Sequence, residues 1–311
     1  MTLSSPTNNA AAFGLYGLPP ADLAEVPAGA IQFSPLMPGS MALEAQGEGS
    51  LAGMIVSAPP GTLERRYTLA LTLKALAPGA RLVVLAPKDK GGSRLRRELE
   101  GFGCVVEETA RRHHRICTVA RPQALGGLDT ALVEGAQRLV PDIGLQSQPG
   151  VFSWDRVDRG SALLVEHLPN LAGRGADLGC GIGVLSRAIL ASPAVSQLAL
   201  VDIDRRALEA TRINVTDARV TRIWADLRQP PGDLKGLDFV VMNPPFHDGG
   251  AEDKALGQAF VRRAAELLKA RGICWLVANR HLPYEAVLAP LFKTVTMRVE
   301  TGAYKVYEAQ K

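Results

Sequence analysis

From Gly175 onward the chain alternates short apolar runs with amphipathic stretches, and that rhythm restricts its fold more than any other feature. Gly175 to Leu178, Leu198 to Ile203, Thr221 to Trp224, Phe239 to Met242 and Ile273 to Ala278 read as strands. Val184 to Leu190, Arg205 to Val215, Leu256 to Lys269 and Pro283 to Leu291 read as helices, and a further helix from Ser161 to Leu168 opens this half. Continuously apolar strands separated by helices imply a mostly parallel sheet covered on both faces. Thr294 to Val299 and Tyr304 to Ala309 close the chain as an antiparallel hairpin.

The first half repeats part of this plan. Gly53 to Ser57 reads as a buried strand, followed by the turn Ala58-Pro59-Pro60-Gly61 and a helix from Leu63 to Leu76. A strand from Arg81 to Ala86, a helix from Ser93 to Phe102 and closing strands at Cys104 to Glu107 and Arg115 to Ala120 complete it. The same order follows Pro244-Pro245, which points to duplication of one α/β unit. Met1 to Pro20 reads as a loose tail or a short edge element, and nothing before Pro59 resembles the glycine-rich loop of the second half. The first copy is therefore expected to lack a cofactor site. The junction falls in the mixed segment Pro122 to Gly150, giving domains 1–145 and 146–311.

With 311 residues, 47% of them apolar, the chain can fill two domains. Its net charge of +4 admits a nucleic-acid partner without requiring one. Cys104, Cys117, Cys180 and Cys274 show neither C-x-x-C nor zinc-ligand spacing, so no metal is expected and the thiols read as reduced and buried. No signal-peptide pattern is visible, and no apolar run approaches the ~20 residues needed to span a bilayer. A cytoplasmic protein without a membrane partner is expected.

Asp177-Leu178-Gly179-Cys180-Gly181-Ile182-Gly183 links a strand to a helix. The glycines let the backbone pass close to a ligand, but a dinucleotide site wants G-x-G-x-x-G, and here Ser186 stands in the last place. The spacing and the acid before it favour S-adenosylmethionine (SAM), whose ammonium group Asp177 can receive. A plain strand-to-helix turn would also fit the glycines alone. Asp202, at the end of the next strand, can accept from both ribose hydroxyls, and Asp226, after the third, from the adenine amine. Asp204 is the better cap for the helix that follows.

Asn243-Pro244-Pro245-Phe246 follows the strand Phe239 to Met242. Two prolines stiffen the loop and remove donors, leaving the Asn243 side-chain oxygen and the Pro244 carbonyl as acceptors beside the flat face of Phe246. These features suit a planar exocyclic amine. Acceptors on its two N–H bonds would localise the nitrogen lone pair and aim it at a methyl donor. Positioning of this kind can supply about 7–11 kcal/mol of a barrier, so no strong base is required. His247 or Asp248 could assist removal of the proton, but they read first as loop-shaping or substrate-contacting residues.

The run Asn243-Pro244-Pro245-Phe246-His247-Asp248-Gly249 resembles the catalytic loop of the bacterial ribosomal small-subunit RNA guanine-N2 methyltransferases. Pro149-Gly150-Val151-Phe152-Ser153 with Asp155, Asp158, Gly160 and Ser161 resembles the segment that leads into that family's cofactor site. Val277-Ala278-Asn279 with Leu282-Pro283-Tyr284, and Thr301-Gly302 with Lys305-Val306-Tyr307, resemble its late strand and closing hairpin. The resemblance covers Pro149 to Ala309 and implies two tandem Rossmann-like methyltransferase domains, the N-terminal one degenerate and serving RNA binding or support. It also implies SAM as cofactor, with S-adenosylhomocysteine as product. The implied cofactor contacts are Phe152, Asp158, Asp177, Gly179, Cys180, Gly181, Gly183, Asp202, Ile203, Ala225, Asp226 and Asn243. The implied substrate is a guanine N2 in ribosomal RNA or the small subunit. A monomer is expected.

Candidate contacts around that base are Phe246, His247, Asp248, Arg280, His281 and Lys305. Basic clusters at Lys88 to Arg97 and Arg111 to Arg115 could follow phosphates, although interleaved acids fit a solvated face equally well. Alternatives left open are large-subunit RNA, a protein glutamine or DNA adenine as the methyl acceptor, and a non-catalytic ribosome-assembly factor. A nicotinamide oxidoreductase is disfavoured by the loop spacing.

Overall fold

The computed structural model describes residues 12–245, 247–248, 251–252 and 254–311. The chain divides into two compact units, the first ending at Ala136 and the second beginning at Gln137.

In the first unit the strands are β1 (Ala12–Tyr16), β2 (Ile31–Gln32), β3 (Leu51–Ser57), β4 (Leu76–Pro87), β5 (Glu107–Arg111) and β6 (His114–Ala120). The helices are α1 (Thr62–Ala75), α2 (Leu95–Gly101) and α3 (Leu128–Gly135). The sheet runs β2-β1-β3-β4-β6-β5, parallel as far as β4 and antiparallel beyond it. Leu69 and Leu73 of α1, Leu95 and Leu99 of α2, and Met54, Val56, Leu82 and Val84 of the strands share one buried cluster. The expectation of a tail or edge element before Pro20 is corrected: β1 pairs with β2 on one side and β3 on the other. Its glycine is the reason the strand is hard to see in sequence. A Cβ on Gly14 would come within 3.0 Å of the Met54 side chain, so close packing replaces an apolar signature there. The strand expected at Cys104 also begins later, at Glu107, leaving Cys104 and Val106 buried in the preceding turn.

The second unit opens with β7 (Arg138–Val140) and β8 (Leu145–Ser147), then α4 (Arg159–His167). Next come β9 (Gly173–Leu178), α5 (Val184–Leu190), β10 (Val195–Asp202), α6 (Arg205–Asn214), β11 (Val220–Trp224) and β12 (Leu237–Met242). It ends with β13 (His247–Asp248), β14 (Ala251–Glu252), α7 (Lys254–Leu267), β15 (Leu268–Asn279), α8 (Tyr284–Leu288), β16 (Thr294–Glu300) and β17 (Tyr304–Gln310). The main sheet runs β11-β10-β9-β12-β15-β17-β16, with five parallel strands and the antiparallel closing hairpin. Along β12, Val240 and Met242 join the core beneath α7, while Phe239 and Val241 join the opposite core beneath α4 and α5. This alternation covers both faces.

The two sheets share more than order. Leu51 pairs with Leu76 and the register then resumes at Gly53 and Arg81; Leu237 pairs with Leu268 and resumes at Phe239 and Ile273. Both pairs slip by the same amount at the same point, and α1 and α7, each of 14 residues, run straight into the next strand. Aligning the registers puts Leu15 at the position of Asp177 and Ser57 at that of Asn243. The first unit is thus a degenerate copy, without either of those polar side chains.

Candidate functional site

Strand order reverses between β9 and β12, and an open α/β sheet exposes its ligand crevice at such a point. Val241 pairs with Asp177 and Met242 with Leu178, so the glycine loop and Asn243 leave neighbouring strands side by side. Gly181 and Gly183 take left-handed φ values of 52° and 94°. A Cβ on Gly183 would strike Val215 Cγ2 at 2.7 Å, whereas one on Gly181 would meet nothing within 4 Å. Gly183 is therefore required for packing and Gly181 for the bend over open space. The cavity beneath the loop is lined by Phe152, Asp158, Ser161, Cys180, Leu185 and Asn243, among others.

Asp177 is fully buried. Ser186 Oγ donates to its Oδ2 at 2.6 Å, and its Oδ1 has no hydrogen-bond partner. Burial lifts its pKa to about 7, opposed by the Ser186 hydrogen bond. Asp202 anchors the loop: its Oδ2 accepts from Gly181 N and its Oδ1 from Asp204 N, each at 2.8 Å. Each oxygen keeps lone-pair capacity for a hydroxyl. Burial raises this carboxyl too, to about 6. Asp204 caps α6 through Arg206 N. Ile203 O accepts from Trp224 Nε1, and Ala225 N donates to Asp202 O, which ties the ends of β10 and β11 together. Asp226 is held by Arg228, whose Nε lies 3.0 and 2.9 Å from its two oxygens.

Asn243 Nδ2 donates to Asp158 Oδ2 at 2.8 Å and to Ser161 Oγ at 2.9 Å. Its Oδ1 is buried with no hydrogen-bond partner. Asp158 is at the same time the N-cap of α4, accepting from Ser161 N. Pro244 is buried and Pro245 half-buried. Phe246 and the side chains of His247 and Asp248 lie outside the described residues; the His247–Asp248 backbone pairs with Ala251–Glu252.

Arg280, His281 and Lys305 are not among the residues lining the cavity. Arg280 pairs with Glu300 at 2.8 Å and Lys305 with Glu285 at 2.7 Å. The four cysteines are buried and free, Cys180 within the glycine loop itself. Ser161 and Ser186 are the polar contacts that sequence reasoning left without a role. The signals were present: a serine three residues after a capping Asp, and a serine in the first turn after the glycine loop.

The family model for the methyltransferase small domain matches residues 142–308. A ribosomal RNA small subunit methyltransferase C from Shewanella loihica is 33% identical over 252 residues, covering 79% of this chain and 73% of the relative. The protein of that name from Shewanella sediminis is 31% identical over 262 residues, covering 82% and 75%. Among solved structures, the T. thermophilus 16S rRNA N2 G1207 methyltransferase, in complex with AdoMet and guanosine, aligns with a TM-score of 0.78. It covers 96% of this chain and 88% of that one at 23% identity, a likeness of fold. On these matches the chain belongs to the methyltransferase small-domain family and to the ribosomal RNA small subunit methyltransferase C proteins within it.

Proposed function

We propose that this protein is a SAM-dependent methyltransferase that modifies the exocyclic N2 of a guanine in small-subunit ribosomal RNA. The observation that carries the reading is a pair of buried acceptors without partners, Asp177 Oδ1 and Asn243 Oδ1, at the ends of two neighbouring strands. Leaving such atoms unsatisfied costs about 1–3 kcal/mol each, so they call for a ligand with donors. The ammonium group of SAM fits the first and an amine of the substrate fits the second. When bound, SAM supplies an electrophilic methyl group.

The chain's own residues hold and orient. Asp177 receives the ammonium, Asp202 the ribose hydroxyls, and Asp226, at the end of the adjoining strand, the adenine edge while sharing its charge with Arg228. Asn243 Oδ1 and the Pro244 carbonyl accept the two N–H bonds of the target amine, and Phe246 supports the ring. Nothing in this scheme needs a strong base, because the amine proton becomes acidic only after attack. The names of the curated relatives support ribosomal RNA of the small subunit as substrate. The first unit, with Leu15 and Ser57 in place of the two polar residues, serves RNA binding or support. A monomer in the cytoplasm completes the reading; among the described residues no helix is long and apolar enough to cross a membrane.

The test is transfer of labelled methyl from SAM to small subunits, large subunits and DNA, each taken from cells lacking the protein, with the small-subunit RNA expected to take the label. N2-methylguanosine should carry the label after digestion. Label in protein, DNA or large-subunit RNA instead would overturn the substrate assignment, and no transfer at all would favour an assembly factor.

A further inference from the structure

An asparagine amide can be turned over without changing its shape, which would exchange acceptor for donor. At Asn243 that exchange is blocked. Both acceptors facing its Nδ2 are fixed, and one is a carboxylate that can only accept. Turning the amide would set Oδ1 against Asp158 Oδ2. Asp158 is itself held by its cap bond from Ser161 N at 2.8 Å. The turn is closed tightly around it: a Cβ on Gly160 would lie 3.0 Å from Asp158 Oδ2 and 3.1 Å from Tyr304 Cε1. Ser161 is buried, while Asp158 and Asn243 are half-buried at the edge of the cavity.

We propose that Asp158 and Ser161 are positioning residues for methyl transfer, fixing the Asn243 amide with its oxygen toward the target amine. The proposal rests on the methyltransferase reading above. It gives Asp158 a different task from the cofactor contact that family resemblance implies. As the C–N bond forms and the methyl–sulfur bond breaks, positive charge passes from sulfur to the amine nitrogen; the surplus proton then leaves to solvent. Donation from Asn243 Nδ2 to the Asp158 anion raises electron density at Oδ1, because hydrogen bonds in a chain ending on a charge strengthen one another. The nitrogen begins to gain positive charge in the transition state and has none in the bound amine, so the gain falls on kcat and not on binding.

Two variants separate this role from a structural one. Asp158→Asn keeps the shape and a good N-cap but removes the charge, and Ser161→Ala removes only the hydroxyl while retaining the capping N–H. We expect kcat for subunit methylation to fall about tenfold in Asp158→Asn and about threefold in Ser161→Ala, with the SAM Kd and the subunit KM within about twofold of wild type. The second readout is the NMR pair of the Asn243 side-chain amide, assigned by its disappearance in Asn243→Asp. Its protons should exchange slowly in the wild type, then shift and exchange faster in both variants. Unchanged kcat with unchanged amide signals overturns the proposal. So does a SAM Kd raised more than about tenfold with kcat preserved, which makes Asp158 a cofactor contact. Should the wild type itself methylate no RNA, the functional reading falls, and the amide signals still decide whether these two residues hold Asn243.

Discussion

At Asp177 two opposing demands meet in one carboxyl group. Removal from water disfavours its charge and lifts its pKa to about 7, yet the ammonium contact proposed for it requires the anion. SAM affinity is therefore expected to fall as pH drops below about 7 and to level off above it, with about half a proton released per SAM bound at that pH and close to one proton about a unit below it. Titration calorimetry in buffers of different ionisation enthalpy measures the release, and Asp177→Asn should abolish both the release and the slope. Without cofactor the linkage has the opposite effect on folding. Between about 4, the unfolded value, and about 7 the folded state holds a proton that the unfolded chain has released, so stability falls as pH rises. Asn243 makes a different prediction. Its oxygen is buried without a hydrogen-bond partner and in the proposed scheme accepts from the target amine, so Asn243→Ala should lower kcat by about 10²–10³-fold, the scale of losing one preorganised transition-state hydrogen bond. Equilibrium SAM binding should change little; loss of binding with kcat intact at saturation would reverse the assignment.

Among the elements, α1 and α7 show how one frame was specialised twice. Arg65 and Gly257 hold the same fourth position in these helices. A Cβ on Gly257 would come within 2.3 Å of the Tyr284 hydroxyl, while one on Gly91 would come within 2.2 Å of Arg65 Nη1. Large and small partners have been exchanged between the helix and the segment that follows the next strand. In the first unit Arg65, with no side-chain exposure, bonds both oxygens of Glu98 at 2.7 Å and the Pro59 and Pro60 carbonyls at 3.2 and 2.7 Å. The turn that corresponds to the Asn243-Pro244-Pro245 segment is thereby locked by a buried cation. Arg65→Met should destabilise the protein by about 3–5 kcal/mol in denaturant unfolding, because Glu98 is left buried and unpaired, and adding Glu98→Leu should recover most of that loss. Strands such as Phe239 to Met242 and the N-P-P-F loop were legible in sequence because their signals are local: apolar runs and fixed-φ residues. β1 was not, since Gly14 is required by its approach to Met54 on another strand. The hold of Asp158 on Asn243 was not either, since 85 residues separate them in sequence. The pairing of Arg280 with Glu300 and Lys305 with Glu285 likewise depends on folding of the closing hairpin and α8.

Over the whole molecule the net charge of +4 is modest, so any hold on RNA depends on where the positive charge is gathered. Folding brings the two basic clusters of the first unit together. Lys88 N donates to His113 O at 2.8 Å, and the end of β4 pairs with the start of β6 through Pro87 and His114. Arg112 and His113 form the hairpin turn in left-handed conformations, φ 45° and 60°, where asparagine or glycine would be relaxed. Both side chains stand exposed at this turn, open to a phosphate as well as to solvent. Some of the charge is already paired, Arg112 with Asp22, Arg115 with Glu108 and Arg96 with Glu100, so these side chains would have to exchange a carboxylate for a phosphate. Lys88 and Arg111 are exposed beside that turn. Lys88→Ala with Arg111→Ala should weaken binding to the small subunit and flatten its dependence on log salt by about 0.7–0.9 for each phosphate no longer neutralised. The SAM Kd should stay within about twofold, because the cavity beneath the glycine loop belongs to the second unit. An unchanged salt slope would take this turn out of the RNA-binding face and return its basic residues to the role of a solvated edge.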